Sequence, residues 1–329
     1  MARNLITDVA GVRVGHAGDM ALGSGVTAIV FDKPAIGSID IRGGGPGTRE
    51  TAMLEPGYTV DNIDAVVLSG GSAFGLDAAA GVQAYLRERG RGFRVREALV
   101  PIVPGAILFD LLAGGNKNWG RYPPYRELGY EAAKSAHANF ALGTVGAGTG
   151  ATTRTLKGGI GSASAKTQTG FMVSAIAATN AAGNVTIGNG PHFWAAPYEA
   201  AREFGGLGWP ARMPAKALAF RSKGQVRENT TLAVVVTDAA LTKSQAKRLA
   251  IMAQDGMSRA IYPVHTPLDG DIVFALSVGR KPLPDPIYAL SELGTVAANV
   301  LARAIARGVY EARALPFPKA LPAWRDKFG

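Results

Sequence analysis

The chain has 329 residues, of which 47% are hydrophobic and 18% are charged. A chain of this length and composition can bury a large core in one or two domains. Its formal net charge is +10, but Lys and Arg are spread along the chain without a cluster, which argues against a nucleic-acid-binding protein. The absence of cysteine excludes disulfides, thiolate metal sites and a cysteine nucleophile.

The start of the chain and its glycine content bear on location and on class. Residues 1–8 lack the apolar stretch of a signal peptide, and no run approaches the length of a membrane span. We therefore expect a cytoplasmic protein with no membrane partner. The 43 glycines and 19 prolines follow no repeating period, so they indicate many tight turns and not a fibrous protein.

Hydrophobic periodicity predicts a mixed α/β protein. In chain order, the predicted elements are strands at 11–15, 26–31 and 65–68, helices at 73–88 and 125–137, strands at 172–179 and 232–236, a helix to 261 capped by Thr242, a strand at 272–276, and a long helix at 288–312. The last helix has apolar residues at helical spacing, so one of its faces is predicted to be buried. Because no linker or repeat interrupts the pattern, we predict a single domain over 1–329.

A possible self-cleavage site stands directly before the predicted strand at 232. The polar segment 221–227, expected to be mobile, leads to Asn229-Thr230. The Thr230 hydroxyl can attack the Asn229 carbonyl through a five-membered ring, and water can then open the resulting ester. The freed α-amine has a reference pKa near ~8 and can act as the base for the adjacent hydroxyl. An ordinary turn before a strand explains the same residues.

A pair of carboxylates stands before the next predicted strand. In Asp269-Gly270-Asp271 the two acids are one residue apart, so they point to the same side if the segment is extended. A polar turn is the alternative interpretation. Beside a nucleophilic threonine, one carboxylate can orient the Thr230 amine and the other can hold a nitrogen of the substrate.

Other motifs in the sequence give weaker evidence for a function. Residues 146–151 fit the loose G-x-G-x-x-A pattern, but no Asp or Glu occurs from Ala151 to Tyr198, so a dinucleotide site is rejected. We expect this loop to let backbone approach the active site. Ser72 lies one residue short of a G-x-S-x-G elbow and is a weak candidate nucleophile. The four histidines are scattered singly, so no metal site is predicted, and His265 is expected to form a structural hydrogen bond beside the acidic turn.

Several longer motifs carry a family resemblance. They are Arg-Gly-Gly-Gly-Pro-Gly-Thr-Arg-Glu at 42–50, Leu-Ser-Gly-Gly-Ser-Ala-Phe-Gly-Leu-Asp at 68–77, Glu-Asn-Thr-Thr at 228–231, Val-Val-Val-Thr-Asp-Ala at 234–239 with the following helix, and Pro-Val-His-Thr-Pro-Leu-Asp-Gly-Asp at 263–271. In this combination and order the chain resembles the L-aminopeptidase/D-amidase-esterase (DmpA-type) family, from about Ile6 to Ala312. That family includes β-peptidyl aminopeptidases and nylon-oligomer hydrolases.

The resemblance implies a fold, a maturation step and an assembly. The implied fold is a four-layer α/β/β/α sandwich like that of N-terminal-nucleophile hydrolases, with different connectivity. The implied maturation is autocleavage into residues 1–229 and 230–329. The implied assembly is a homotetramer of processed pairs, and no cofactor is implied.

The resemblance also assigns roles to single residues. Asn180 matches the family's oxyanion asparagine, although a turn asparagine is equally plausible locally. Lys157 matches a lysine near the nucleophile that stabilises negative charge or holds the Thr230 hydroxyl. Phe109 stands where some members carry an active-site tyrosine, which should change substrate preference more than cleavage. With Phe109, Gly71 and Ser72 are predicted to contact the substrate.

The acidic pair bears on specificity within the family. Matching positions are often Ser-x-Glu in β-aminopeptidases and Asp-x-Asp in nylon-oligomer hydrolases, so Asp269 and Asp271 favour the latter. The resulting hypothesis is a self-processing threonine amidohydrolase acting on a small peptide or amide. An ornithine-acetyltransferase-like acyl transferase and a non-cleaving small-molecule-binding protein are the alternatives.

Overall fold

The computed structural model describes residues 2–223 and 229–329, so residues 224–227 of the segment expected to be mobile lie outside the described residues. The strands are β1 (Val12–Asp19), β2 (Ser24–Ile41), β3 (Gly47–Arg49), β4 (Asn62–Ser69), β5 (Phe93–Val95), β6 (Ala98–Val100), β7 (Gly105–Ile107), β8 (Ile160–Lys166), β9 (Met172–Ala178), β10 (Leu232–Ala239) and β11 (Ile272–Lys281). The helices are α1 (Ala78–Glu88), α2 (Tyr125–Lys134), α3 (Lys243–Ala260), α4 (Pro286–Tyr310) and α5 (Trp324–Phe328).

The long strand β2 belongs to two sheet layers. Its first half pairs with β1 and with β4, and its second half pairs antiparallel with β11. The pairing register with β4 shifts between Val30 and Ala35, where the strand passes from one layer to the other. Strand order is β3-β7-β4-β2-β11-β10-β9-β8, with β1 beside β2, so β2 links the two halves.

Three hydrophobic clusters separate four layers. Alternate residues of β2 and β4, such as Val26 and Val67, pack under α1 and α2. The intervening residues, such as Ile29, meet residues of the second sheet, such as Val234. The opposite face of that second sheet packs against α3 and α4. Because side chains of a strand alternate between faces, each sheet has apolar residues on both sides. The predicted α/β/β/α sandwich is confirmed.

The helix boundaries follow local signals in part. Thr242 caps α3 as predicted, with its hydroxyl accepting from Gln245 N at 3.2 Å. The predicted helix at 73–88 instead starts with a 3-10 segment, Ser72–Asp77, and α1 begins at Ala78. Gly75 packs so closely on the Gly70 carbonyl oxygen that a Cβ there would lie 1.9 Å away. This close approach belongs to the tighter 3-10 turn.

Strand β8 was missed by the sequence analysis. Its residues are small and polar, and a Cβ at Gly161 would lie 1.9 Å from the carbonyl oxygen of Ala304 in α4. The Ser162 hydroxyl donates to Ala175 O at 2.7 Å. Close packing of α4 on the sheet therefore requires residues with low strand propensity at this position.

Helix α4 is long and apolar enough to span a membrane by length and composition, a feature the sequence analysis did not identify. However, 67% of its most apolar window is buried within the fold. The buried face includes Leu293, Leu301 and Ile305, which pack in the same cluster as α3 and the second sheet. The position of α4 is therefore that of a core helix.

Candidate functional site

The candidate site forms where three strands of the second sheet end or begin together. Strands β10 and β11 run parallel with Leu232 opposite Ile272, so the residues before each strand lie side by side. Asn229 pairs with Asp269 in an isolated parallel bridge. Antiparallel pairing of β9 with β10 brings Asn180, two residues past the end of β9, to the same edge. Sheet register thus brings together Asn229-Thr230, Asp269–Asp271 and Asn180.

The hydroxyl of Thr230 lies against the peptide group that it was predicted to attack. Thr230 is 3% exposed, and its Oγ1 donates to Asn229 O at 2.6 Å. The amide of Gly270 donates to the same carbonyl oxygen at 2.9 Å. Thr230 N donates to Asn180 O at 2.7 Å. The Asn229–Thr230 peptide is therefore held at its carbonyl oxygen and at its nitrogen, with the hydroxyl beside it.

Gly270 is a site residue that the sequence analysis treated only as a spacer between two acids. A Cβ at this position would lie 2.5 Å from Thr230 Oγ1 and 2.8 Å from Gly45 O. A side chain here would therefore displace the Thr230 hydroxyl or the glycine-rich loop. The sequence shows Gly270 as a glycine between two acids. Only the pairing of Asn229 with Asp269 shows that the Gly270 N–H points at the Asn229 carbonyl.

Asp271 is buried and holds the chain on either side of the site. Its Oδ1 accepts from Thr231 N at 2.8 Å. Its Oδ2 accepts from His265 N at 3.1 Å and contacts His265 Nδ1 at 2.9 Å. Asp271 therefore positions the residue after Thr230, and His265 forms a hydrogen bond beside the acidic turn.

Asp269 is also buried, and it binds a different set of donors. Its Oδ1 accepts from Ala182 N at 3.1 Å, and its Oδ2 accepts from the amide and hydroxyl of Thr266 at 2.9 and 2.7 Å. Burial, and then the charge of Asp271, raise the pKa of Asp269. The pair was predicted to orient the Thr230 amine, but in the uncleaved chain that nitrogen donates to Asn180 O instead.

The glycine-rich segment at 42–47 packs directly on this acidic turn. Gly43 N and Gly45 N donate to Asp271 O and Asp269 O, at 3.3 and 2.8 Å. A Cβ at Gly43 would lie 2.3 Å from Asp271 N. Glycine at this position therefore permits the backbone contact that supports the two carboxylates.

Asn180 is fully buried and lies between Thr230 and the residues that line a cavity. Its Oδ1 accepts from Thr152 N at 2.9 Å and from Lys223 Nζ at 3.3 Å, and its Nδ2 donates to Phe109 O at 3.1 Å. Phe109, Thr152 and Lys223 all line a cavity of about 330 Å³. Asn180 thus contacts three residues of the cavity lining through its side chain and contacts Thr230 through its main chain.

Lys157 lines the same cavity but does not hold the Thr230 hydroxyl, which was one of its two predicted roles. Its Nζ donates to Gly148 O, Ala151 O and Gly158 O at 2.8, 2.7 and 2.7 Å. Burial lowers its pKa to about 7, opposed by Asp110 and reinforced by Lys223. The glycine loop at 146–151 therefore does approach the site, where its carbonyls surround the Lys157 ammonium.

Gly71 contacts the lining of this cavity through Asp110, whereas Ser72 N donates to Leu108 O at 3.0 Å. Asp110 lines the cavity and is 2% exposed; it accepts from Gly71 N at 2.8 Å and from the Ser24 hydroxyl at 2.7 Å. Burial raises the pKa of Asp110. Asp110 was missed, although a single acid directly after the apolar run 101–109 is a visible signal.

Across residues 2–223 and 229–329, no group of three or more His, Asp or Glu is placed to hold a metal ion.

Comparison with known proteins identifies the family. A family model described as peptidase family S58 matches residues 4–320. A Mycobacterium tuberculosis protein named as an uncharacterized aminopeptidase is 42% identical over 347 aligned residues, covering 99% of this chain and 98% of the relative. The chain belongs to peptidase family S58. A 6-aminohexanoate-oligomer endohydrolase from a Kocuria strain is 28% identical over 291 residues, covering 84% of this chain and 76% of that protein.

Membership of family S58 confirms the resemblance found in the sequence and makes the protein a hydrolase of peptide or amide bonds. The fold agrees with this assignment. The structure of an L-aminopeptidase D-Ala-esterase/amidase from Ochrobactrum anthropi superposes with a TM-score of 0.67 at 19% identity, covering 97% of this chain and 90% of the other. That structure is described as a new variant of the Ntn-hydrolase fold, as the sequence predicted for this S58 chain.

Proposed function

We propose that this S58 hydrolase cleaves itself between Asn229 and Thr230 and then uses Thr230 as an N-terminal nucleophile on small amides. One observation carries the proposal: Thr230 Oγ1 and Gly270 N both contact the Asn229 carbonyl oxygen, at 2.6 and 2.9 Å. A nucleophile and an amide donor on the same carbonyl are the two components that acyl transfer requires.

The proposed self-cleavage proceeds in two steps. Oγ1 bonds to the Asn229 carbonyl carbon, the C–N bond breaks, and the hydroxyl proton passes to the released amine, which leaves an ester. Gly270 N–H stabilises the negative charge that develops on the carbonyl oxygen. Water then hydrolyses the ester to give the Asn229 carboxylate, the Thr230 hydroxyl and a free Thr230 amine.

The mature reaction repeats this chemistry on a substrate amide. The Thr230 amine takes the proton of its own hydroxyl as Oγ1 attacks. Asn180 is suited to stabilise the oxyanion because its main chain contacts Thr230 N and its side chain contacts Phe109 and Thr152, which line the cavity. Lys157 lines the same cavity and supplies positive charge there in its protonated form. The Thr230 ammonium gives that proton to the leaving amine, which departs, and water then releases the acyl group from Thr230. The chemistry balances with water alone.

Mass spectrometry of the purified protein tests this proposal. We expect two species, corresponding to residues 1–229 and 230–329, in place of the 34.1 kDa chain. Hydrolysis of a small amide in the presence and absence of an added amine then separates a hydrolase from an acyl transferase, because a transferase would pass the acyl group to the amine. A single intact chain after prolonged incubation at neutral pH would contradict self-cleavage.

We further propose that the processed pairs assemble into a homotetramer. The buried face of α4 is covered within its own chain, so it does not by itself require a partner. Large apolar side chains of the segment 207–220 are exposed, among them Trp209, Leu218 and Phe220 at 51, 63 and 73%. Such an apolar surface is typical of an interface.

Light scattering tests the assembly. At micromolar protein we expect a mass near four times that of one 34.1 kDa chain, with both fragments retained after cleavage. Leu218→Ser and Phe220→Ser, at exposed positions, should weaken the assembly with little loss of protomer stability. A wild-type protein that scatters as a monomer would rule the tetramer out.

A further inference from the structure

A second cavity, of about 280 Å³, lies beside the loop that follows Asn180. Among the residues that the structure describes, its lining includes three cationic side chains, those of Arg154, Lys216 and Arg221, and no Asp or Glu. Within residues 2–223 and 229–329, none of the three forms an ion pair. We call this cavity the basic subsite. A concave surface with one sign of charge concentrates ligands of the opposite sign.

Three other polar side chains of the basic subsite, those of Asn184, Tyr262 and Trp194, offer no free acceptor. The Asn184 amide is buried; its Nδ2 donates to Gly188 O and its Oδ1 accepts from the Thr155 hydroxyl, at 3.1 and 3.0 Å. The Tyr262 hydroxyl donates to Leu218 O at 2.9 Å. The indole Nε1 of Trp194 is buried and finds no acceptor among the described residues. The subsite therefore has an excess of donors and positive charge, so a matching ligand carries acceptors and negative charge.

The lining also offers apolar contact. The rings of Trp194 and Tyr262 lie 5.6 Å apart, and Pro214, Ala217 and Ala219 complete an apolar part of the wall. A ligand that satisfies both parts has a short apolar chain ending in an anion. A small inorganic anion would leave the apolar wall in contact with water.

The basic subsite is close to the proposed reaction centre. Thr152 N donates to the Asn180 side chain, and Arg154 follows two residues later. Asn184 follows Asn180 by four residues, and its loop is joined to the other by Arg154 N donating to Gly183 O at 3.1 Å. Since an extended chain spans at most about 3.6 Å per residue, the subsite backbone lies within ~7 to ~14 Å of these contacts. About two to four residues of an extended substrate chain cover that distance.

We propose that the basic subsite binds a terminal carboxylate of the amide substrate, so that the enzyme selects short peptides or oligoamides with a free carboxyl end. A guanidinium and an ammonium are the side chains that best bind a carboxylate. This proposal rests on the proposed function only for the position of Asn180 at the reaction centre. Binding of the carboxylate is independent of whether Thr230 is the nucleophile.

Calorimetry with two matched probes tests the subsite on the full protein. N-acetyl-6-aminohexanoate and N-acetyl-6-aminohexanamide each carry a short apolar chain and differ only in the terminal charge. We expect the carboxylate to bind at least about tenfold more tightly, with the difference falling as salt is raised because Lys216 and Arg221 are exposed. In the double variant Arg154→Gln/Lys216→Gln the two probes should bind within about twofold of each other.

Two further variants keep the test decisive. Lys216→Gln alone changes an exposed side chain and should remove part of the preference even if the double variant does not fold. Lys134→Gln removes an exposed cation of α2 outside the subsite and should leave the preference unchanged. Equal binding of both probes to the wild type, or an undiminished preference in the Arg154/Lys216 variants, would overturn the subsite. An intact, inactive chain that still prefers the carboxylate would instead count against the proposed function alone.

Discussion

Thr230→Ala should remain a single 34.1 kDa chain and should lose amide hydrolysis by about 10⁴-fold or more. Alanine has no hydroxyl to attack the Asn229 carbonyl, so neither the ester nor the new N-terminus can form. The same change removes the proposed nucleophile for substrates, which is why maturation and turnover should fail together. Denaturing electrophoresis and an amide hydrolysis assay measure the two effects.

Thr230→Ser is the matched control because it keeps the hydroxyl. It should still give two fragments and measurable activity. Gly270→Ala tests the position of the Thr230 hydroxyl without changing Thr230, since the added Cβ would lie 2.5 Å from Thr230 Oγ1. We expect its processing to be slower although every predicted catalytic side chain is present. Efficient cleavage in Thr230→Ala would show that another group breaks the chain.

Asp269→Asn and Asp271→Asn should each lower kcat/KM for small amides by roughly a hundredfold, equivalent to ~3 kcal/mol of transition-state stabilisation. The two oxygens of Asp269 accept hydrogen bonds from Ala182 N and Thr266 N. The two oxygens of Asp271 accept hydrogen bonds from Thr231 N and His265 N. An asparagine turns one acceptor into a donor that faces another donor. It also removes the charge that favours an ammonium at Thr230 after cleavage.

A second buried carboxylate separates catalysis from stability. Asp64, in β4, is 2% exposed and accepts from Ile102 N at 3.0 Å. Burial raises the pKa of Asp64, so Asp64→Asn should change the melting temperature but leave kcat/KM per processed enzyme nearly unchanged. If the Asp269 and Asp271 variants behave in the same way, with normal turnover and only a changed melting temperature, the acidic pair is structural. Activities are compared per molecule of processed enzyme, so that slow maturation is not counted as slow turnover.

Local sequence alone determined the elements whose signals lie within a few residues. The β-branched run after Thr231 is strand β10, and Thr242 with Gln245 starts α3 at the predicted position. The resemblance to family S58 also rested on short motifs, and it predicted the four-layer fold correctly. Asn229-Thr230, Asp269–Asp271 and Asn180 were found in the same way, and the structure brings them together.

Only the tertiary structure decided the features that depend on distant partners. Strand β8 forms where α4 packs on the sheet at close range. Its small residues permit this packing, but their local pattern does not predict a strand. Lys157 has a pKa of about 7 because the fold buries it among three carbonyl groups, and no local pattern encodes that burial. The Gly270 N–H reaches the Asn229 carbonyl only through the register of two strand ends that are 40 residues apart in the chain. Propensity and periodicity act over neighbouring residues, whereas desolvation and backbone donors depend on what the fold places alongside them.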